Sequence, residues 1–115
     1  MSQVLVVDDE VPFAQVLCDV LTDLGHRSLC AHDGRQALER VRADRPALVV
    51  VDVMMPLHDG KRFVLDLRRD PTLRDVRVLL MSVSPAPVGL EGYQAFLRKP
   101  FTLQAFCDAV LRVLA

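Results

Sequence analysis

Four short apolar runs in this 115-residue chain end on side chains able to do chemistry. "QVLVVD" closes on Asp8, followed by Asp9 and Glu10; "ALVVVDV" carries Asp52; "VRVLLMS" ends at Ser82; "QAFLR" leads into Arg98, Lys99 and Pro100. If these ends meet, carboxylates, a hydroxyl and an ammonium share one site. Two carboxylates ~4 Å apart repel by about 4 kcal/mol at an effective dielectric near 20, so a bare cluster is unfavourable. A hard divalent cation relieves that repulsion. Mg²⁺ takes oxygen ligands at about 2.0–2.1 Å and keeps several waters, which leaves positions open for a phosphoryl group beside Lys99.

Each residue also has a plainer reading. Asp8 or Asp9 alone suits a helix N-cap. Asp52 alone suits a turn at the end of a strand, and "DG" at 59–60 a simple turn signal. Ser82 alone can cap, and Lys99 can lie on the surface. Co-location decides between these readings, because the four positions come from four different runs.

The elements that must bring them together can be read from the spacing. In Val11–Gly25, residues Phe13, Val16, Leu17, Val20, Leu21 and Leu24 recur at three- and four-residue steps, which predicts a helix with one apolar face, stopped by Gly25. "RSLCA" reads as a second strand, and Asp33 caps a helix through Ala37, Leu38 and Val41 that ends before Pro46. "ALVVVDV" has the continuous apolar character of a central parallel strand. Asp59 caps a helix through Phe63, Val64 and Leu67. "VRVLLMS" and "QAFLR" are the fourth and fifth strands. Thr102 caps a last helix with Leu103, Phe106, Val110 and Val113 facing inward. Strands alternating with helices predict an α/β, doubly wound, five-stranded parallel sheet with helices on both faces. Such sheets bind ligands at the carboxyl ends of the strands, where the acids fall.

Composition supports one globular domain over 1–115. Apolar residues are 51% and charged residues 25%, with a formal net charge of -1. That charge gives no global field for nucleic acid or an anionic membrane. Twelve of the fourteen basic residues are arginine, and the densest stretch, "RFVLDLRRDPTLRDVR", is interrupted by Asp66, Asp70 and Asp75. It reads as a solvated mixed-charge face. Cys18, Cys30 and Cys107 show no C-x-x-C spacing, which predicts separate buried thiols in a cytoplasmic protein rather than a disulfide framework or zinc site. No apolar run reaches the ~20 residues needed to span a bilayer. The start "MSQVLVVDDE" lacks the basic region of a signal peptide.

Taken together, "VLVVDDE" (4–10), "LVVVDVMMPLHDG" (48–60), "VRVLLMS" (76–82) and "FLRKPF" (96–101) resemble the response-regulator receiver domain of two-component signalling, CheY-like, over nearly the full chain. The resemblance implies the flavodoxin-like strand order 2-1-3-4-5. It implies that Asp52 is the phospho-acceptor, that Asp8, Asp9, Asp52 and the main-chain carbonyl of Met54 hold Mg²⁺, and that Ser82 and Lys99 bind the phosphoryl oxygens. It also implies a cis Lys99–Pro100 bond and a switch aromatic at Phe96, whose alternative is an ordinary core ring. The implied partners are a histidine kinase or phosphotransfer protein upstream, and an effector protein or fused domain downstream. No direct nucleic-acid or membrane partner is expected. The domain would promote its own phosphorylation and dephosphorylation without being an enzyme on other substrates.

The chain departs from the usual pattern in three places. Val83 follows Ser82 where alanine or glycine is usual. Leu57 and His58 stand where a small or polar residue and an apolar one are common; His58 is expected to face solvent or pack on its loop. Lys99 follows Ser82 by only 17 positions, and Pro85, Pro87, Gly89 and Gly92 fall between them. Prolines restrict the start of a helix and glycines its continuation, so the fourth crossover helix is expected to be short or absent, with at most one turn around Val88 to Glu91. Two other functions stay open at this level. One is an interaction module with this fold that signals without phosphate. The other is a Mg²⁺-dependent phosphatase of another α/β fold, which normally places a second aspartate two residues after the nucleophile, where Met54 stands here.

Overall fold

The computed structural model describes residues 2–55 and 59–115, so the expectations for Leu57 and His58 lie outside the described residues. Five strands form one parallel sheet: β1 (Gln3–Val7), β2 (Arg27–Ala31), β3 (Leu48–Asp52), β4 (Arg77–Ser82) and β5 (Ala95–Arg98). Their spatial order is β2-β1-β3-β4-β5, the expected order, with the central strands β1, β3 and β4 between the edges. Four α-helices make the connections and the close: α1 (Val11–Asp23), α2 (Gly34–Asp44), α3 (Gly60–Arg69) and α4 (Leu103–Leu114). A single 3₁₀ turn at Pro71–Leu73 follows α3.

The continuous apolar runs are explained by cores on both faces of the sheet. Leu5, Val7, Val49, Val51, Val78 and Leu80 pack with Ala37, Leu38 and Val41 of α2 and Phe63, Val64 and Leu67 of α3. Their sequence neighbours Val4, Val6, Leu48, Val50, Leu79 and Met81 point the other way. They meet Ala14, Leu17, Cys18 and Leu21 of α1 and Phe106, Ala109, Val110 and Val113 of α4. A strand flanked by helices on both faces has no solvent side, so alternation gives way to an unbroken run. Each buried Val or Leu side chain contributes on the order of 1.5–3 kcal/mol.

The cap readings hold. The Asp33 carboxylate accepts from the Gln36 N–H at 2.8 Å, Asp59 from Arg62 N–H at 2.9 Å, and the Thr102 hydroxyl from Ala105 N–H at 3.0 Å. Gly25 ends α1 with φ +91°, and the His26 N–H reaches back to the Leu21 carbonyl at 3.0 Å. Such a left-handed residue suits glycine because no Cβ meets the following carbonyl. Lys99–Pro100 is cis.

Three side-chain expectations are corrected. Val16 and Leu24 are exposed, since α1 lays Ala14, Leu17, Cys18 and Leu21 on the sheet and the apolar residues outside that stripe remain in solvent. Leu103 is also exposed, outside the stripe of Phe106, Ala109, Val110 and Val113 that α4 buries. Cys18 and Cys30 are paired as a disulfide, not separate thiols. Spacing gave no hint of this: the pairing arises because the β1–α1–β2 crossover lays α1 over β2. Cys107 is free and half-buried.

The crossover from β4 to β5 contains no helix. Residues 83–94 carry one hydrogen-bonded turn at Val88 and Gly89 and are otherwise irregular. Gly89 and Gly92 have φ of +78° and +89°, conformations other residues rarely adopt.

Candidate functional site at the carboxyl rim of the sheet

Parallel strands all present their carboxyl ends on one rim, and the sheet order sets which ends are neighbours. Asp8 follows β1, Asp52 ends β3, Ser82 ends β4 and Lys99 follows β5. Backbone bonds hold these ends in register: Asp8 N–H donates to the Ala31 carbonyl at 3.1 Å, Val53 N–H to Met81 at 2.8 Å, and Lys99 N–H to Ser82 at 2.8 Å. Asp8, Asp52 and Ser82 are the buried polar residues among those described.

Neither Asp8 nor Asp9 caps α1. The N-cap is Glu10, whose side chain makes no capping bond. Asp8 Oδ1 instead accepts from the Glu10 N–H at 2.9 Å, which turns its carboxylate inward. Asp52 Oδ1 accepts from the Met54 N–H at 3.0 Å, so Asp52 is a turn former as well as a site residue. The Lys99 ammonium bridges the other two oxygens, 2.9 Å from Asp8 Oδ2 and 3.2 Å from Asp52 Oδ2. Asp8, Asp9 and Asp52 each offer a carboxylate oxygen, all within 4.8 Å of one another. An all-carboxylate donor set with one exposed member, Asp9, fits a hard divalent cation open to solvent. Met54 lies on the same turn as Asp52, its side chain exposed.

The site's electrostatics follow from burial. Burial pushes the Asp52 carboxyl above its ordinary value, and Asp8 adds to this; the Met54 N–H and the Lys99 charge offset only part. Burial works against the Lys99 ammonium too, but the hydrogen bond to Asp8 and the nearby Asp52 and Asp8 charges outweigh it and hold Lys99 above its usual range. The paired acids therefore keep Lys99 charged, while Asp52 is strained toward neutrality by its surroundings.

Ser82 is buried, and its Oγ accepts from the Ser84 N–H at 3.1 Å, leaving its proton free to donate. Val83 is exposed and lines a cavity of about 260 Å³ with Glu10, Phe13, Lys99, Pro100 and Phe101. Phe96 is half-buried and packs against the core that includes the buried faces of α2 and α3. Gly60 lies so close to the acid turn that a Cβ there would sit 2.5 Å from the Asp52 carbonyl oxygen and 2.7 Å from Val53 Cα.

All four strand-end groups read from the sequence thus meet on one rim. Two contacts there escaped the sequence reading. The Phe13 ring lies under the Lys99 ammonium, 4.5 Å from Nζ to the ring centre, though its periodicity shows only a core-facing helix residue. The His32 ring bonds the Asp8 carbonyl through Nδ1 at 3.1 Å, a pairing across 24 residues that no local signal announces.

Residues 4–111 match the response regulator receiver domain family. The chain is 35% identical over 116 residues to the probable transcriptional regulator ycf27 of Porphyridium aerugineum, covering 96% of this chain and 48% of that protein. It is 39% identical over 107 residues to the response regulator MprA of Mycobacterium ulcerans, covering 89% and 45%. The chain therefore spans about half the length of the curated relatives it matches. Among solved structures, the chemotaxis response regulator CheY4 of Vibrio cholerae superposes with a TM-score of 0.90 at 28% identity, covering 99% of each chain. The receiver domain of a signal transduction histidine kinase from Syntrophus aciditrophicus gives the same score and identity, covering 99% and 90%. A family match over residues 4–111, nearly the whole chain, identifies this protein as a member of the response regulator receiver domain family of two-component signalling.

Proposed function

We propose that residues 1–115 form one receiver domain in which Asp52 accepts a phosphoryl group from a phosphohistidine, supplied by a histidine kinase or a phosphotransfer protein. The observation that carries this reading is the Lys99 ammonium bridging Asp8 and Asp52, with Asp9 beside them, at the carboxyl rim. The Asp52 carboxylate is the nucleophile: its oxygen bonds phosphorus as the phosphorus–nitrogen bond breaks, and the released imidazole takes a proton. Asp8, Asp9, Asp52 and the Met54 carbonyl would hold Mg²⁺, which when bound supplies positive charge to the transferring phosphoryl oxygens. Lys99 supplies a second, fixed charge. The Ser82 hydroxyl donates to a phosphoryl oxygen while still accepting from Ser84. The acyl phosphate carries more negative charge than the Asp52 carboxylate it replaces, and the Lys99 ammonium beside it offsets part of that charge.

The output is a shift between two arrangements of the Ser82–Ser84 loop, with Phe96 repacking behind it. An effector protein or a fused domain reads that surface. Among the described residues, no helix is long and apolar enough to cross a membrane. The reading is tested by intact mass after incubation with acetyl phosphate and Mg²⁺. A phosphate adduct that disappears in Asp52→Asn is expected. No adduct from acetyl phosphate or from a partner kinase would favour an interaction module that signals without phosphate.

A further inference from the structure

We propose that Phe13 is a positioning residue for the phosphoryl site, its ring face holding the Lys99 ammonium in place while the carboxylate partners of Lys99 change. This rests on Asp52 being the phospho-acceptor. In the structure Lys99 has three partners: Asp8 at 2.9 Å, Asp52 at 3.2 Å and the Phe13 ring at 4.5 Å. During phosphoryl transfer the first two do not stay as they are. The Asp52 carboxylate becomes an acyl phosphate, and any divalent cation held by Asp8 draws on the same small set of oxygens that Lys99 uses. Only the ring offers the same negative face before and after. A cation over an aromatic face gains most where water is excluded, and the Lys99 side chain is only 12% exposed.

The ring is itself held. Phe13 meets Phe101 edge-on with centroids 6.0 Å apart, and Phe101 stacks on Phe106 at 6.1 Å, 15° from parallel. Phe106 is fully buried in the core of α1 and α4. A column of three rings therefore runs from the helix core to the ammonium, and it fixes the Phe13 face without using a polar group. Phe13 also walls the cavity that Lys99, Glu10 and Val83 border, so a phosphoryl donor entering there meets a charge already in place.

A fluorination series tests this, because fluorine withdraws the negative face of the ring while barely changing its shape. Phe13 is replaced by mono-, di- and trifluorinated phenylalanine, and by Phe13→Leu and Phe13→Trp, in the natural chain and in a Lys99→Met chain that keeps the stem but loses the charge. The first measurement is the thermal unfolding midpoint without Mg²⁺. A graded fall of about 2–5 °C across the series is expected with Lys99 and none with Lys99→Met. The second is the rate of adduct formation from acetyl phosphate. It should fall by about three- to tenfold from phenylalanine to its trifluorinated form and in Phe13→Leu, and recover in Phe13→Trp. Equal midpoints across the series in both chains, or equal labelling rates across a series that does label, would overturn the proposal. If even the unsubstituted chain takes no phosphate, the assignment of Asp52 fails, while the midpoint series still decides whether the ring holds the ammonium.

Discussion

Arg68 Nε donates to the Gly92 carbonyl at 2.8 Å, tying the last turn of α3 to the crossover that runs from β4 to β5 without a helix. The same guanidinium reaches the Leu73 and Arg74 carbonyls through Nη1 at 3.5 and 3.3 Å. Burial holds it below its usual pKa. Gly92 fits against it closely: with φ +89°, a Cβ there would meet Arg68 Cγ at 2.8 Å. One planar fork thus anchors a segment that a helix would otherwise hold by packing.

Removing the fork should loosen the crossover before it unfolds the domain. Arg68→Ala is expected to lower stability by about 1–3 kcal/mol, since the part-buried Gly92 and Leu73 bonds lose their charged donor. Hydrogen exchange should speed up first in residues 85–94. Arg68→Lys should not restore protection, because an ammonium cannot reproduce the fork. Uniform acceleration across all five strands would show that Arg68 acts on the whole fold instead.

Asp52→Asn should stabilise the folded chain near neutral pH, since the buried charge disfavoured by its surroundings disappears. Asp52 has a raised folded-state pKa, so its titration contributes stability that is full below the unfolded value of 3.8 and lost as pH rises through the folded value. The advantage of Asn over Asp must therefore grow as pH rises through the carboxylate range, then level off. Denaturant unfolding from pH 3 to pH 8 reads this directly. An Asn variant equally or less stable than the natural chain throughout would contradict it.

Mg²⁺ should raise the unfolding midpoint of the natural chain, because an ion bound only by the folded state stabilises it. At a hundredfold excess over Kd the gain is about 2.7 kcal/mol. Asp9 is exposed, so Asp9→Asn should leave metal-free stability within about 0.5 kcal/mol while removing most of the Mg²⁺ response. A full response in Asp9→Asn would exclude it from the ligand set.

Val83→Ala should speed labelling by acetyl phosphate several-fold, because Val83 stands exposed at the mouth of the cavity that Lys99 and Phe13 line. Its exposure also means that stability should change little. Equal labelling rates for the two chains would show that access is set elsewhere.

Gly60→Ala should cost about 3 kcal/mol and slow labelling as well, since the added Cβ is opposed by backbone atoms of Asp52 and Val53 that cannot swing aside. An unaltered labelling rate would show that the acid turn tolerates the shift.

The sequence by itself determined the layered α/β architecture. Short β-branched runs such as "LVVVD", alternating with helical patterns, read as strands with helices on both faces, and Asp33, Asp59 and Thr102 announce their helices through caps that act within three residues. It also determined which side chains stand at the strand ends, and it showed that the β4–β5 crossover was too short, and too rich in proline and glycine, for a full helix. These are local properties, set by dihedral preferences and spacing. Only the tertiary structure decided which partners those ends would find. Lys99 lies 91 residues from Asp8 and 47 from Asp52, and the fold alone brings them within hydrogen-bond reach. The Phe13 face under Lys99, the Cys18–Cys30 pairing and the Arg68 latch on Gly92 arise the same way. Val16, Leu24 and Leu103 show the converse: they continue the apolar spacing of their helices, but lie outside the stripes that α1 and α4 bury. Periodicity fixes the direction in which a side chain points along its own helix. What lies in that direction is set by strand order and crossover geometry, which no local stretch of sequence contains.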